Sequence, residues 1–153
     1  MWTDLLTKYD GKTITYDDCG NPLSYYNGSN YTFTWQQGRQ LATAAKGSTN
    51  VSYSYDMAGV RSSKTVGNTT YKYDTLSGKV MRQSWGSNVI DFVYDENNQP
   101  YAMRYRSTTN GVYNTYYYVL NVQGDVVGLL NSSGAIAAKY TYDPWGKVTV
   151  QNP

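Results

Sequence analysis

Tyr53-Ser54-Tyr55-Asp56-Met57-Ala58-Gly59 is the stretch of this 153-residue chain that decides its fold. Tyr53 and Tyr55 are two residues apart, so they lie on one face of a β-strand, while the serine between them faces the other way. Asp56 can accept hydrogen bonds from the backbone amides two residues on, and Gly59 takes a left-handed conformation without steric cost. The stretch therefore predicts a strand that ends in a tight turn.

The Tyr-Asp-x-x-Gly string recurs along the chain with a period of roughly twenty residues, which is typical of a repeat architecture. In one copy the glycine after Asp74 comes one place late, and in another Asn98 stands in place of the glycine. Asparagine adopts positive φ more readily than other non-glycine residues, so Asn98 keeps the character of the turn. The repeat signature, including two further turn glycines, comprises Tyr16, Asp17, Gly20, Tyr55, Asp56, Gly59, Tyr73, Asp74, Gly78, Tyr94, Asp95, Asn98, Gly124, Gly134, Tyr142, Asp143 and Gly146.

A second series of turns lies between the first ones. Short runs rich in β-branched and aromatic residues separate the two series, and strands joined by such short turns pair as antiparallel neighbours. The chain is thus predicted to be all-β, an antiparallel β-meander of hairpins forming a curved sheet, because long twisted sheets curl. The turns of the second series are Asn27-Gly28-Ser29-Asn30, Lys46-Gly47-Ser48-Thr49-Asn50, Val66-Gly67-Asn68, Gly86-Ser87-Asn88 and Thr109-Asn110-Gly111.

The C-terminal third is more apolar than the rest of the chain. Tyr116–Leu120 and Val126–Leu130 are nearly continuous apolar runs, which is expected where a strand is covered on both faces. We therefore expect something to pack over this region.

Composition excludes several classes of function. The net charge of +2, with 16% of residues charged, supplies no basic stripe for a phosphate backbone, so nucleic acid is not an expected partner. The absence of histidine removes the usual general base, and a single cysteine excludes an internal disulfide. No apolar run is long enough to span a membrane, and the first residues do not form a signal peptide. We predict no catalytic residues, no cofactor and no metal: the chain is not an enzyme.

The repeated motif resembles the YD repeats of rearrangement-hotspot (RHS) proteins. The segment Tyr116–Val148, with Leu120–Leu129 and Tyr140-Thr141-Tyr142-Asp143-Pro144-Trp145-Gly146, resembles the start of the RHS repeat-associated core. The resemblance covers essentially the whole chain and divides it into YD-repeat hairpins at residues 1–112 and the start of the core at 113–153. The core in that family leads to an aspartyl self-cleavage motif and a variable toxin. Asp143-Pro144 occupies an ordinary repeat turn, so no cleavage role is assigned to it.

The resemblance implies a function as well as a fold. RHS repeats build a hollow β-shell around a C-terminal toxin, so this chain would be a non-enzymatic segment of a shell that encapsulates and helps deliver its cargo. The implied partners are the remainder of the shell and the toxin cargo. The parent protein would be secreted or associated with the cell surface or cell wall. Unpaired terminal strands would favour edge-strand self-association of the isolated chain.

Tyrosine, with eighteen copies, allows two interpretations. We favour sheet packing, because tyrosine fits a pleated surface and its hydroxyl finds a partner at the edge. The alternative is a cell-surface carbohydrate-binding or adhesion module, because exposed aromatic rows stack on sugars. Choline-binding wall repeats have similar turns but need a tryptophan in nearly every unit, whereas four tryptophans are irregularly placed here.

Two groups of charged residues are candidate binding sites. The aspartates of the repeats lie about twenty residues apart, which does not provide the clustered oxygens that calcium requires, so we interpret them as turn residues. Arg104 and Arg106 share one face of a strand and, with Lys72, Lys79 and Arg82, offer contacts to anionic glycans. A solvated face is the simpler interpretation of that basic group.

Overall fold

The computed structural model describes residues 4–107 and 111–152, and the secondary structure of those residues consists of β-strands and turns. The strands are β1 Lys8–Tyr9, β2 Lys12–Thr13, β3 Ser24–Tyr26, β4 Asn30–Gln36, β5 Gln40–Lys46, β6 Thr49–Tyr55, β7 Arg61–Val66, β8 Thr69–Leu76, β9 Lys79–Trp85, β10 Asn88–Tyr94, β11 Pro100–Arg106, β12 Tyr113–Leu120, β13 Val126–Asn131, β14 Ile136–Tyr142 and β15 Val148–Gln151.

Sheet order follows chain order. β1 pairs with β2 in a separate hairpin, and the order β3 to β15 runs through consecutive strands, without a crossover. Because the turns are short, each strand runs back alongside the preceding strand, and the pairing is antiparallel. The predicted all-β meander is confirmed. No helix long and apolar enough to cross a membrane occurs in the described residues.

The backbone divides into two compact units, Met1–Tyr73 and Asp74–Pro153, which we call unit 1 and unit 2. The division falls inside β8. The boundary expected from sequence, between residues 112 and 113, separates two kinds of motif rather than two compact units, and it stays a prediction. Of the predicted turn Thr109-Asn110-Gly111, the first two residues lie outside the described residues.

Unit 1 has two chemically distinct faces. On one face Tyr53 of β6 lies opposite Lys64 of β7, which in turn lies opposite Tyr71 of β8. The other face carries serine and threonine; the hydroxyls of Thr34 and Thr43, which are cross-strand partners, lie 2.6 Å apart. Strict alternation along each strand produces this separation, because successive side chains point to opposite faces.

Unit 2 has apolar side chains on both faces of its strands. Val93, Ala102 and Tyr117 are cross-strand partners on one face. Tyr118 and Leu129 are partners on the opposite face. Most buried apolar residues of the described chain lie here. They are Val89, Ala102, Leu129 and Ala138, with Ile14 the further member in unit 1.

The expected cover over the apolar strands is not supplied by the described residues. Tyr117 and Val119, which belong to the first apolar run, each keep 37% of their surface exposed. A single sheet buries side chains only against their neighbours on the same face, so covering these runs requires a second layer. The continuous apolar runs lie in strands as predicted, and a layer that covers them stays a prediction.

Candidate functional site

The turn after Tyr55 shows the geometry of the repeat. Asp56 Oδ1 accepts hydrogen bonds from the amides of Ala58 and Val60, both at 2.9 Å. The backbone closes the turn as well, because Asp56 N donates to Val60 O at 2.9 Å and Gly59 N donates to Asp56 O at 3.0 Å. Gly59 has φ of 79°, where any side chain would be strained. The aspartate thus satisfies amides that the bend removes from the strand ladder.

The same turn occurs six times in the described residues. In each, the side-chain oxygen of the first residue accepts from the amides two and four residues on, at 2.8 to 3.0 Å. The fourth residue always has positive φ, between 64° and 88°. Asn98 is one of these, as its residue type predicted. The first residues are Asp17, Asp56, Asp95, Asn121, Asn131 and Asp143.

Two of the six turns begin with asparagine, at Asn121-Val122-Gln123-Gly124 and Asn131-Ser132-Ser133-Gly134, where the sequence predicts turns without assigning a role to the asparagine side chains. Asn121 and Asn131 use an amide oxygen where the other turns use a carboxylate oxygen. The signal was present in the sequence, since each asparagine stands three residues before its glycine. A motif with Asp or Asn at this position describes all six turns.

Asp74 and Gly78 do not form this turn, contrary to the prediction. Asp74 remains in β8, which continues to Leu76, and the chain reverses through Ser77 and Gly78 with φ of 51° and 77°. Two consecutive residues at positive φ form the tight hairpin turn whose twist matches that of its strands. The extra residue between Asp74 and Gly78 prevents the aspartate from reaching the amides of the reversal.

Asp17 has more partners than the other turn aspartates. The Asn21 side chain donates from Nδ2 to Asp17 Oδ2 at 2.8 Å, and the Asn21 amide donates to Oδ1 at 2.8 Å. These hydrogen bonds lower the pKa of Asp17 from its ordinary value of 3.8. Asn21 Nδ2 also donates to the carbonyl of Gly38, and Asn21 is buried. This asparagine therefore ties the first turn of unit 1 to the next turn of the repeat.

The tyrosine that precedes the turn aspartate closes the end of a hairpin. Pairing of β9 with β10 ends at Arg82 and Asp91, and beyond that point the Tyr94 hydroxyl donates to Val80 O at 2.9 Å. Tyr55 donates to Leu41 O in the same way at 3.0 Å. Tyr16 and Tyr142 bond to Leu6 O and Val126 O, and Trp35 Nε1 bonds to Pro22 O.

These bonds give the signature tyrosine a definite role. Its hydroxyl donates to a backbone carbonyl on a neighbouring segment, beyond the last residue pair of the strand ladder, and that carbonyl would otherwise need water. The expectation that tyrosine hydroxyls find partners at the edge is confirmed for these residues. Tyr73, whose aspartate is not in a turn, has no such bond among the described residues.

The tyrosine face of unit 1 is occupied by the chain's own cations. Arg61 lies between two rings, with its guanidinium 5.6 Å from the centroid of Tyr53 and 5.3 Å from that of Tyr73. Lys64 lies 4.9 Å from the centroid of Tyr71. Cation–π contacts at these distances are attractive and cover the ring faces that a sugar would use.

Unit 2 contains an open cleft of about 340 Å³ with a half-buried tyrosine in its wall. Tyr118 lines it together with Met103, Leu129 and Tyr140. Burial, with further repulsion from Tyr94 and Tyr140, raises the pKa of Tyr118 to about 12. The phenol therefore stays neutral at physiological pH and presents a hydroxyl rather than an anion.

The described residues do not assemble a group of three or more histidine, cysteine or acidic side chains that would hold a metal ion. The acidic side chains of the repeat are engaged with backbone amides instead. Cys19, the one cysteine, is an exposed free thiol within the first turn. The repeated geometry thus stabilises the turns of the meander through hydrogen bonds.

The chain is similar to three nucleases named WapA from Bacillus. It is 36% identical over 149 residues to the tRNA3(Ser)-specific nuclease WapA of Bacillus spizizenii, which covers 94% of this chain and 6% of that protein. It is 33% identical over 151 residues to the tRNA nuclease WapA of Bacillus subtilis strain 168, with the same coverage of 94% and 6%. The chain thus spans about 6% of the length of these curated relatives. No family model matches it.

The fold is also found in a solved structure. A chain in the crystal structure of TcdB2-TccC3-Cdc42 aligns with 89% of this chain and 8% of its own length, with a TM-score of 0.52 and 16% identity. At that identity the likeness concerns the fold alone. The periodic Tyr-Asp turns, the identity to the WapA proteins and this shared fold together identify the chain as an RHS/YD-repeat protein.

Proposed function

We propose that this chain is a non-enzymatic segment of an RHS-type shell that encloses a C-terminal toxin or effector polypeptide and helps deliver it. The observation that carries the proposal is the turn repeated six times with one hydrogen-bond pattern, because it propagates a single meander strand by strand. Such a sheet grows by adding hairpins and encloses volume without needing a reactive group.

The similarity to WapA supports this proposal because the matched region is a small part of each relative. The match covers 94% of this chain but 6% of each relative. Most of each relative therefore lies outside the matched region, and so does most of the sequence that could carry its nuclease activity. The repeat geometry of this chain supplies structure, and the reaction named for the relatives would belong to another part of the parent protein. We propose that the parent protein is secreted or associated with the cell surface or cell wall.

Protection from proteolysis tests the enclosing role. In the parent protein, we expect a protease to cut the polypeptide that follows the repeats much more slowly than it cuts the same polypeptide expressed alone. A parent lacking two hairpins of this segment should lose the protection, while a parent with Tyr53→Phe serves as a folded control. Equal cleavage rates for the enclosed and the isolated polypeptide would contradict the proposal.

Carbohydrate binding remains the alternative, and the cations on the tyrosine face count against it. A sugar stacking on Tyr53, Tyr71 or Tyr73 would have to displace Arg61 or Lys64 from the ring faces. Titration of this chain with wall glycans or choline at millimolar concentration distinguishes the two functions. Saturable binding abolished by Tyr53→Ala and Tyr71→Ala would favour the alternative.

A further inference from the structure

One face of unit 2 carries a row of apolar side chains that crosses five strands. Its members are cross-strand partners and form what we call the apolar row: Val93, Ala102, Tyr117, Leu130 and Ile136. Val93 is 40% exposed and Ile136 44%. Tyr101, the extra residue at the bulge of β11, is 56% exposed and packs edge-on against Tyr117, with the two ring centroids 5.8 Å apart. The row spans roughly 19 Å at the usual strand spacing.

A row of charged side chains lies beside it on the same face. Asp91 is two residues from Val93 on β10, so the two rows are about 7 Å apart. Asp91 lies opposite Arg82 on one neighbouring strand and opposite Arg104 on the other. Arg106 follows two residues after Arg104, opposite Val89 and Tyr113. Charged side chains and apolar side chains therefore lie side by side on this face.

This row has more cations than carboxylates, because Arg82 and Arg104 flank the single carboxylate of Asp91, and Arg106 lies one register row further along the same face. Asp91 Oδ1 accepts from Arg82 Nε at 2.5 Å, which accounts for the one carboxylate of the row. The guanidinium groups of Arg104 and Arg106 both lie against the ring of Tyr113, at 4.8 and 5.4 Å from its centroid. In the described residues neither forms an ion pair with a carboxylate. Two cations gathered at one ring repel each other, and an anion bound between them would remove that cost.

The surroundings decide which anion fits. A guanidinium pairs equally well with carboxylate and with phosphate, but the apolar row needs aliphatic or aromatic side chains to cover it. A polypeptide supplies a carboxylate and apolar side chains at the spacing of the two rows, whereas a phosphate polymer supplies only charge. Asp91 already shows a carboxylate seated in this ladder against an arginine.

We propose that this face of unit 2 binds a polypeptide segment whose acidic side chain lies between Arg104 and Arg106 while neighbouring aliphatic side chains cover the apolar row. The proposal rests on the proposed function in that it takes a polypeptide as the partner, and it names the surface and the partner's chemistry. The sheet face, rather than an edge strand, provides the binding surface.

Fluorescence anisotropy with the whole 153-residue chain tests this surface. The probe is a labelled synthetic peptide that alternates leucine and glutamate, and the matched probe has lysine in place of every glutamate. We expect the acidic peptide to bind with an affinity that falls as salt rises, and the basic peptide not to bind. Comparable binding of both peptides would overturn the proposal.

Variants separate the named arginines from general charge. Arg104→Gln with Arg106→Gln should weaken the acidic peptide by about tenfold or more, as expected for loss of a carboxylate partner. Lys8→Gln with Lys147→Gln removes the same charge from exposed side chains elsewhere and should change affinity less than about twofold. Equal weakening by both pairs would overturn the proposal.

The apolar row has its own test. Tyr101→Ser should weaken the peptide, whereas Tyr9→Ser, at a similarly exposed tyrosine of unit 1, should not. Inorganic polyphosphate is the competing probe. If it binds as tightly as the peptide and Tyr101→Ser alters neither, the surface would recognise phosphate and the proposal would be wrong. Far-ultraviolet circular dichroism of each variant checks that the sheet is retained.

Failure of this inference is distinguishable from failure of the proposed function. If the peptide does not bind while the parent protein still protects its following polypeptide from protease, the docking face is wrong and the shell role stands. If the peptide binds through Arg104 and Arg106 but the parent gives no protection, the face is a peptide-binding surface and the enclosing role is wrong.

Discussion

Unit 1 and unit 2 share one turn but differ in what lies on the sheet between the turns. In unit 1 a tyrosine face with Arg61 and Lys64 alternates with a hydroxyl face, and Ile14 is its buried apolar side chain among the described residues. Unit 2 carries apolar side chains on both faces and buries Leu129 and Ala138. The comparison teaches that the turn determines the meander, whereas the residues between turns determine how much apolar surface is buried.

The largest effect should come from removing a buried side chain of unit 2. Leu129→Ala is expected to lower the free energy of unfolding by about 2–5 kcal/mol, because it leaves a space that its neighbours fill only partly. Leu6→Ala in unit 1, where the leucine is mostly exposed, should cost less than about 1 kcal/mol. Urea denaturation measures both. Similar costs for the two changes would break the distinction between the units.

The turn should cost the same in both units. Asp56→Ala in unit 1 and Asn131→Ala in unit 2 each remove an oxygen that accepts from two backbone amides. We expect each to lower the free energy of unfolding by about 1–2 kcal/mol. Asp56→Asn keeps the acceptor and should be nearly neutral, as the natural asparagine turns indicate. A large cost in one unit alone would mean that the turn depends on its surroundings.

A smaller effect is expected from the signature tyrosines. Tyr55→Phe and Tyr94→Phe remove the hydroxyl that donates to Leu41 O or Val80 O, and each should cost about 0.5–1.5 kcal/mol. Tyr53→Phe is the matched control, because no bond of its hydroxyl is found in the described residues. If all three changes cost the same, the closing of the hairpin end by the tyrosine hydroxyl would be refuted.

The smallest effect concerns acid sensitivity in unit 1. Hydrogen bonds from Asn21 hold the pKa of Asp17 below its ordinary value of 3.8. The folded chain therefore binds its proton less readily than the unfolded chain, so this stabilisation is complete above that value and is lost as pH falls through the lowered pKa. Asp17→Asn should flatten the decrease in urea midpoint between pH 5 and pH 2. An unchanged decrease would show that other carboxylates cause it.

Much of the fold could be predicted because the repeat is local. A side chain that bonds amides two and four residues away, as Asp56 does, encodes its turn within five residues, and consecutive short turns leave antiparallel pairing as the outcome. The same logic failed at Asp74, where one additional residue selects a different hairpin turn. The turn at Asn121 was predicted as a turn, but the role of its amide oxygen as the acceptor was not.

The proposed binding surface could not be derived from the sequence in this way. Arg104 and Arg106 were seen to share a face, but their convergence on Tyr113 depends on the register of β11 against β12. The bulge at Val93 and Tyr94 also shifts pairing by one residue and brings Tyr101 onto Tyr117. A bulge changes which residues face each other without a strong local signal.

The sequence by itself determined the strand order, the turns and the alternation of faces, because each depends on residues close together along the chain. Only the tertiary structure decided which side chains meet across strands: the carbonyl that Tyr94 caps, the rings that Arg61 covers, and the uncompensated arginines beside the apolar row. Those meetings depend on register, and register is set by the summed geometry of every turn and bulge between the partners.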